Sequence, residues 1–228
     1  MADTVRERIV EVALRLLEEG GPEAMSTRAV SAGAGVQAPT IYRLFRDKQG
    51  LLDAVTALRF EDYLVEKTTR DVAEDPVDDL RRGWDVHVGF GLAHPAVYAA
   101  IYGSPRVGDP PPAVRRAEEI LLAMMRRIAA AGRLRVDEHT AAHVVGATGR
   151  GATLLLIATP EAERDHRAAE IAREAAIAAV TTDAVPASAG EPLAVAARTV
   201  RAALPGVDAL STAERGLMAE WLGRLASR

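Results

Sequence analysis

The chain contains no cysteine, so disulfide bonds and thiolate metal sites are excluded. Aromatic residues make up only 4% of its 228 residues, and lysine occurs only at Lys48 and Lys67. No apolar run is expected to reach membrane-spanning length. The N-terminus is charged and amphipathic and lacks the apolar core of a signal peptide. Together these absences favour a cytoplasmic protein with no membrane partner.

Hydrophobic residues are abundant, at 49% of the chain, which is enough to build a sizeable core. They recur at helical spacing, without the strict alternation of strands, so we expect an all-α fold. The net charge of −4 argues against a general coat for nucleic acid. The segment from Ala24 to Lys48 is nevertheless basic. Its basic residues are Arg28, Arg43, Arg46 and Lys48, set against the single acidic residue Asp47.

Residues 26–53 carry the pattern around which the rest of the chain is organised. A short helical pattern from Thr27 to Gly33 meets a turn, and a second one from Ala38 to Phe45 follows directly. Gly35, within the turn, can take a positive φ without a clash of a Cβ atom. The pattern predicts a helix-turn-helix. The apolar residues expected to hold its two helices together are Val36, Ile41 and Phe45.

The elements of this stretch are Ser26-Thr27-Arg28-Ala29-Val30, Ala34-Gly35-Val36, Thr40-Ile41-Tyr42, Phe45, and Lys48 followed by Leu51-Leu52. In this order they closely resemble the DNA-binding motif of the TetR family of bacterial transcriptional regulators, over roughly the first 55 residues. Two positions depart from the family pattern. Leu44 replaces a histidine or tyrosine that often contacts phosphate. Gly33 replaces a long polar residue, at a cost of about 1 kcal/mol relative to alanine.

The resemblance implies that the second helix of the motif enters the major groove of DNA while the first crosses the backbone. The residues at its leading end, which we expect to read bases, are Gln37, Ala38, Pro39 and Thr40. Phosphate contacts carried over from the family fall on Thr27, Tyr42 and Lys48, and Arg28 and Arg43 reach either bases or backbone.

The same resemblance predicts two domains. Residues 1–47 form a three-helix DNA-binding domain with the helix-turn-helix, and residues 48–228 form a larger helical domain for ligand binding and dimerisation. Asp47 can cap a fourth helix that runs to about Ala73 and links the two domains. After Asp137, two patterns rich in alanine and glycine indicate closely packed helices, either between subunits, as in the family, or within one chain.

The last helix is predicted from a capping box formed by Ser211 and Glu214. Apolar residues follow at helical spacing, and we expect this stripe to be buried, with Trp221 in the core. The residues of the stripe are Leu217, Met218, Trp221, Leu222 and Leu225.

Aromatic residues with polar groups gather between Leu80 and Tyr102, beside small glycines. Such a composition suits a cavity for an organic ligand, and the family usually encloses a small-molecule pocket here. An ordinary helix-packing core explains the same residues about equally well, because pocket and core aromatics look alike in sequence. The candidate ligand contacts are Trp84, His87, Val88, Tyr98, Tyr102, Met124, Met125, His143 and Ala147.

Catalysis finds little support in the sequence. His139 and His143 share one helix face, but Thr140 stands where zinc proteases have a glutamate, and no third ligand is apparent. No phosphate-binding loop or nucleophile elbow is visible, and no cofactor is expected.

The sequence therefore favours a homodimeric repressor that binds a near-palindromic operator in double-stranded DNA and is released by a small hydrophobic ligand. An activator or a ligand-independent regulator of the same family is the alternative. A helical metal-dependent enzyme that uses His139 and His143 ranks behind both.

Overall fold

The computed structural model describes residues 2–69, 73–103, 108–182 and 191–226. Over these ranges it consists of α-helices, two short 3₁₀ segments and an isolated β-bridge between Leu134 and Thr181, so the expected all-α class is confirmed. The helices are α1 (Ala2–Ala24), α2 (Thr27–Ala34), α3 (Ala38–Phe45), α4 (Lys48–Thr69), α5 (Pro76–Ala93), α6 (Pro95–Tyr102), α7 (Pro112–Ala130), α8 (Glu138–Ala158), α9 (His166–Val180), α10 (Glu191–Ala203) and α11 (Thr212–Ala226).

The chain divides into two compact units. The first contains Met1–Arg70, Val86–Arg116 and Thr153–Arg164. The second contains Asp71–Asp85, Ala117–Ala152 and Asp165–Arg228.

In the first unit, α1 packs against α2, α4 and α6 through its apolar stripe. The Arg8 side chain donates a hydrogen bond from Nε to the carbonyl oxygen of Ala34 at 2.9 Å, which holds the end of α2 against α1. A Cβ atom on Gly33 would lie 2.6 Å from a methyl carbon of Val12. This close approach explains the glycine near the end of α2. The fully buried residues of α1 are Ile9, Ala13 and Leu17.

In the second unit, a buried carboxylate organises the start of α5. Asp79 is 2% exposed, and its Oδ2 lies 2.6 Å from Nη1 of Arg127 on α7. Its Oδ1 accepts a hydrogen bond from the backbone N–H of Ala73, and Nη2 of Arg127 donates to the carbonyl oxygen of the same residue. The pair therefore anchors the segment that enters α5. The predicted extension of α4 towards Ala73 falls partly outside the described residues, and Ala73 itself is not helical.

The last helix departs from expectation. The capping box is present, because Ser211 donates from its backbone N–H and hydroxyl to Oε2 of Glu214, at 2.8 and 2.7 Å. The stripe that follows is not buried, however, with Trp221 56% and Leu217 47% exposed. The prediction that Trp221 belongs to the core was wrong, because the contacts of α11 with α10 leave this face open.

The expectation that no apolar run reaches membrane-spanning length was also wrong for α8. Within the described residues, this helix of 21 residues has a mean hydropathy of 1.3 over its most apolar window, enough to cross a bilayer by length and composition. Core helices of soluble proteins pass the same test. Arg150, near its middle, pairs with Glu118 on α7 at 2.7 Å.

Candidate nucleic-acid interface

The first helix of the motif begins and ends as its sequence predicts. The Ser26 hydroxyl caps α2 by accepting a hydrogen bond from the backbone N–H of Ala29 at 3.2 Å. Gly35 ends the helix with φ 63° and ψ 40°, in the left-handed region where a side chain is disfavoured. This turn places α3 directly after α2.

The second helix presents a polar face to solvent. Gln37 precedes it in an extended conformation, and Pro39 lies in its first turn, where no intrahelical N–H is needed. Ile41 and Phe45 are buried beneath it, at 2% and 5% exposure. Tyr42 is 50% exposed, and its hydroxyl lies 3.5 Å from Oγ1 of Thr27 on α2. Two side chains predicted to contact phosphate therefore meet at one surface.

A tight turn joins α3 to α4. The backbone N–H of Asp47 donates to the carbonyl oxygen of Phe45 at 2.9 Å, across Arg46 with φ 69° and ψ −56°. This geometry is a γ-turn of the rare, strained kind. Asp47 then caps α4, as expected, by accepting from the N–H of Gly50 at 2.7 Å. A Cβ atom on Gly50 would lie 2.1 Å from the Phe45 carbonyl oxygen, so this site requires glycine.

The residues predicted to contact DNA all fall on α2, on α3 with its cap, and on the first residue of α4. Arg46, for which the sequence predicts no individual contact, is exposed, and its backbone is constrained by the γ-turn. No sequence pattern predicts a positive φ at an arginine. The exposed members of the predicted set are Arg28, Gln37, Pro39, Tyr42, Arg43 and Lys48, and the half-buried ones are Thr27, Ala38 and Thr40.

Farther along the first unit, aromatic rings from α4, α5 and α6 form a cluster. Tyr63 stacks on Phe90 with ring centroids 4.9 Å apart, and Phe60 meets Phe90 edge to face at 5.5 Å. The rings of Tyr98 and Tyr102 lie 4.9 Å apart. The composition of the sequence indicates the aromatics of α5 and α6, but it does not indicate that α4 joins them. The only sequence signal for α4 is the apolar spacing along that helix.

A chain of hydrogen bonds runs through this aromatic cluster. Nζ of Lys67 donates to the Tyr63 hydroxyl at 2.9 Å, and that hydroxyl lies 3.2 Å from Nδ1 of His87. Nε2 of His87 lies 2.7 Å from the Tyr98 hydroxyl. Lys67 is only 9% exposed and Tyr98 is fully buried. The polar chain thus links α4 to α5 and α6 inside a largely apolar environment.

The first unit also contains a cavity of about 150 Å³ beside α4, α6 and the start of α7. Its walls are mainly apolar, with Asp53 and Glu61 as the acidic residues. None of the predicted ligand contacts lines it. The main apolar residues around it are Phe60, Ile101, Pro112 and Val114.

The predicted ligand contacts are distributed over both units. His87, Val88, Tyr98 and Tyr102 belong to the first unit. In the second unit, Trp84, Met124 and Met125 are buried, whereas His143 and Ala147 are exposed on α8.

The histidines considered for metal binding lie on α8, and both are exposed. Among the residues that the structure describes, no group of three or more potential ligands could hold a metal ion. His139 and His143 therefore have no third ligand within that part of the chain.

The motif matches a known protein family. A family model described as "Bacterial regulatory proteins, tetR family" matches residues 9–55. Tetracycline repressor protein class C from Escherichia coli is 36% identical over 66 residues, a match that covers 29% of this chain and 30% of the relative. The HTH-type transcriptional regulator Rv1816 from Mycobacterium tuberculosis is 29% identical over 123 residues, which is 50% of each chain.

The similarity of the fold to solved structures extends beyond the motif. SmeT, described as the repressor of the Stenotrophomonas maltophilia multidrug efflux pump SmeDEF, superposes with a TM-score of 0.60. It is 23% identical, and the match covers 81% of this chain and 94% of SmeT. The named relatives are transcriptional regulators, which agrees with the expected class, and the matches cover 30% and 50% of the length of the two curated relatives. The match at residues 9–55 supports membership of the TetR family of bacterial transcriptional regulators.

Proposed function

We propose that the protein is a homodimeric repressor that a small hydrophobic ligand releases from its operator. The observation that carries the DNA-binding part is the exposed leading end of α3, held by the buried Ile41 and Phe45. A rigid base beneath an exposed polar face suits a helix that enters the major groove. We assign residues 1–47 to DNA binding and residues 48–228 to ligand binding and dimerisation, in a cytoplasmic protein.

Base recognition falls to the N-terminal end of α3. Gln37, which is exposed, can form hydrogen bonds with base edges. Ala38 and Pro39 contact thymine methyl groups, and Thr40 makes either kind of contact. These residues set which operator is bound.

Phosphate contacts set affinity and register. The proximity of the Thr27 and Tyr42 hydroxyl groups, at 3.5 Å, supports their joint contact with one stretch of backbone. Lys48 is exposed at the start of α4 and contributes a positive charge. Arg28 and Arg43, both exposed, contact either backbone or bases.

Dimerisation is supported by apolar surface on α8 and α9. Val144 and Leu155 are 36% and 68% exposed on one face of α8, and Ile171 is 60% exposed on α9. Burial of such side chains favours association. His143 and Ala147 share this exposed face of α8, which supports an interface role for them over ligand contact. A two-fold dimer implies a near-palindromic operator with half-sites about 34 Å apart, or a multiple of that distance.

Ligand release is proposed to act through α4. The chain Lys67–Tyr63–His87–Tyr98 ties the far end of α4 to α5 and α6, while the near end of α4 joins the recognition helix. A ligand that contacts His87, Val88, Tyr98 or Tyr102 and prefers one position of α4 shifts the population towards that position. The spacing of the two recognition helices then changes, and the operator is released.

The first experiment is genomic selection. Purified protein is incubated with fragmented host DNA at physiological salt, and the retained fragments are sequenced. Enrichment of one short palindrome is the expected outcome. Recovery of no preferred sequence by folded protein would contradict autonomous operator binding.

The roles of individual residues are separated by affinity measured over a salt series. Lys48→Ala should weaken binding to all sequences and reduce the salt slope by about one unit, while Thr40 substitutions should change operator preference. Arg116→Ala, at an exposed arginine on α7, is the matched control and should leave the slope unchanged. An unchanged slope for Lys48→Ala would refute its phosphate contact.

Ligand control is tested with a panel of hydrophobic aromatic compounds. A compound that raises the thermal stability of the protein should also lower operator affinity, and the His87→Ala variant should lose both effects. A compound that binds tightly but leaves operator affinity unchanged would favour a ligand-independent regulator. A compound that increases transcription while the protein stays on the operator would favour an activator.

A further inference from the structure

The last helix, α11, displays an apolar face that the described chain does not cover. Trp221 and Leu217 are 56% and 47% exposed, and α11 has no buried residue. The helix is nevertheless firmly placed, because it packs on α10 and Nη1 of Arg198 donates to the carbonyl oxygen of Ala226 at 3.3 Å. A fixed helix with exposed tryptophan and leucine is a typical feature of a protein-binding surface.

The face has a symmetric order of side chains. Leu217 and Trp221 lie four positions apart, on one side of the helix. Glu214 precedes the leucine by three positions, and Arg224 follows the tryptophan by three positions. An apolar pair is therefore flanked by an acidic residue at one end and a basic residue at the other. We call these four residues the α11 face.

We propose that the α11 face binds the α11 face of a second copy of this chain, with the two helices antiparallel about a two-fold axis. When the order is reversed on the second copy, each Leu217 lies opposite a Trp221. In the same register, each Glu214 lies opposite an Arg224. Such self-complementarity is what an isologous interface requires.

The charges on the α11 face favour a second copy of this chain over other partners. Opposite charges meet at both ends of the antiparallel pair, whereas a parallel pair in the same register would place like charges together. The acidic residues Glu214 and Glu220 on and beside the face disfavour an anionic lipid surface. The capping bonds from Ser211 already hold Glu214 in place, which lowers the entropy lost when the pair forms.

The interface uses a different helix from the exposed faces of α8 and α9 that we assign to the primary dimer. Copies joined through both surfaces form assemblies larger than a dimer, and copies joined through α11 alone form dimers. The inference does not depend on ligand release or on operator binding.

Sedimentation equilibrium of the full chain measures this association. Trp221→Glu should raise the dissociation constant of the largest assembly by at least about tenfold, since a central tryptophan usually dominates such a contact. Leu193→Glu, at a 52% exposed leucine of α10, is the matched control and should leave association unchanged. Arg224 also pairs with Glu220 of the same helix, and its side chain is 71% exposed. Arg224→Glu should therefore weaken association while circular dichroism shows the helix still folded, and Arg224→Lys should restore association. Identical association of wild type, Trp221→Glu and Arg224→Glu would overturn the proposal.

Cysteine cross-linking tests the antiparallel register, and the absence of native cysteine makes it specific. Glu214→Cys and Arg224→Cys proteins are oxidised separately and as a mixture. In the antiparallel pair, identical cysteines are separated along the helix by about 15 Å, too far for a disulfide. Covalent dimers should therefore form mainly in the mixture. Efficient cross-linking of either variant alone, or none in the mixture, would exclude the proposed pairing.

Discussion

Nε2 of His87 lies 2.7 Å from the Tyr98 hydroxyl oxygen, and Nδ1 of the same ring lies 3.2 Å from the Tyr63 hydroxyl oxygen. One imidazole thus joins α4, α5 and α6, and its two nitrogens have distinct partners. Neutral histidine can donate through only one nitrogen, so the direction of each bond depends on the tautomer. The arrangement makes the hydroxyl groups of Tyr63 and Tyr98 interdependent.

Removal of the Tyr98 hydroxyl should break its hydrogen bond with His87 without removing a ring from the aromatic cluster. Tyr98→Phe keeps the ring but leaves Nε2 of His87 without that partner, so we expect a loss of about 1 kcal/mol in the free energy of unfolding. Urea denaturation provides the measurement. Tyr42→Phe, at a half-exposed tyrosine, should change stability by less than about 0.5 kcal/mol. Equal effects of the two changes would contradict the buried hydrogen bond.

The buried Asp79–Arg127 pair should contribute more to the free energy of unfolding than the exposed Asp78–Arg81 pair. Asp79→Asn removes the charge from a carboxylate that is 2% exposed and bound to Arg127 at 2.6 Å, and should cost about 2 kcal/mol. Asp78→Asn is the matched control, because its side chain is 56% exposed and pairs with Arg81. That change should cost less than about 0.5 kcal/mol. Urea denaturation of both variants compares them directly, and a larger loss for Asp78→Asn would reverse our assignment.

Two glycine-to-alanine changes in helices should act in opposite directions. Gly50→Ala places a Cβ atom 2.1 Å from the Phe45 carbonyl oxygen, so it should distort the α3–α4 junction, lower stability and weaken operator binding. Gly89→Ala meets nothing within 4 Å and should raise stability by up to about 1 kcal/mol. Thermal unfolding and operator binding are measured for both. A stable Gly50→Ala protein with normal operator affinity would show that the junction tolerates displacement.

Arg46→Gly should stabilise the protein. The arginine occupies φ 69°, which costs a residue with a side chain more than it costs glycine. After the greater flexibility of unfolded glycine is counted, a net gain of about 0.5 kcal/mol in the free energy of unfolding is expected. Arg43→Gly, within α3, should instead cost about 1 kcal/mol. A loss of stability from both changes would indicate that the Arg46 side chain outweighs its backbone strain.

The acid stability of the second unit should depend on Glu174. The hydrogen bond from the Arg81 guanidinium, with a further one from Arg173, lowers the pKa of Glu174 below its usual value of 4.5. The unfolded chain therefore binds the proton more tightly than the folded one. The contribution is complete above pH 4.5 and disappears as the pH falls through the lowered pKa of the folded state.

Glu174→Gln should accordingly reduce stability at neutral pH and flatten the decline of stability below pH 4.5. Unfolding by urea at a series of pH values measures both effects. Glu163→Gln, at an exposed carboxylate, serves as the control. An unchanged acid profile for Glu174→Gln would mean that the ion pair does not contribute to stability.

The helix-turn-helix and the helix caps were predictable from sequence because each of their signals acts over a few residues. Gly35 ends α2, Asp47 caps α4, and Ser211 with Glu214 opens α11 through hydrogen bonds within one turn. The γ-turn at Arg46 was not predictable, since arginine has no preference for positive φ.

The amino-acid order was thus sufficient for the helices, their caps and the helix-turn-helix motif, because backbone hydrogen bonds and apolar spacing are local. The chain Lys67–Tyr63–His87–Tyr98 depended on tertiary packing, which brings together residues from three helices. The exposure of Trp221 is also a tertiary property: its spacing marks an apolar helix face, but burial depends on whether another element covers that face.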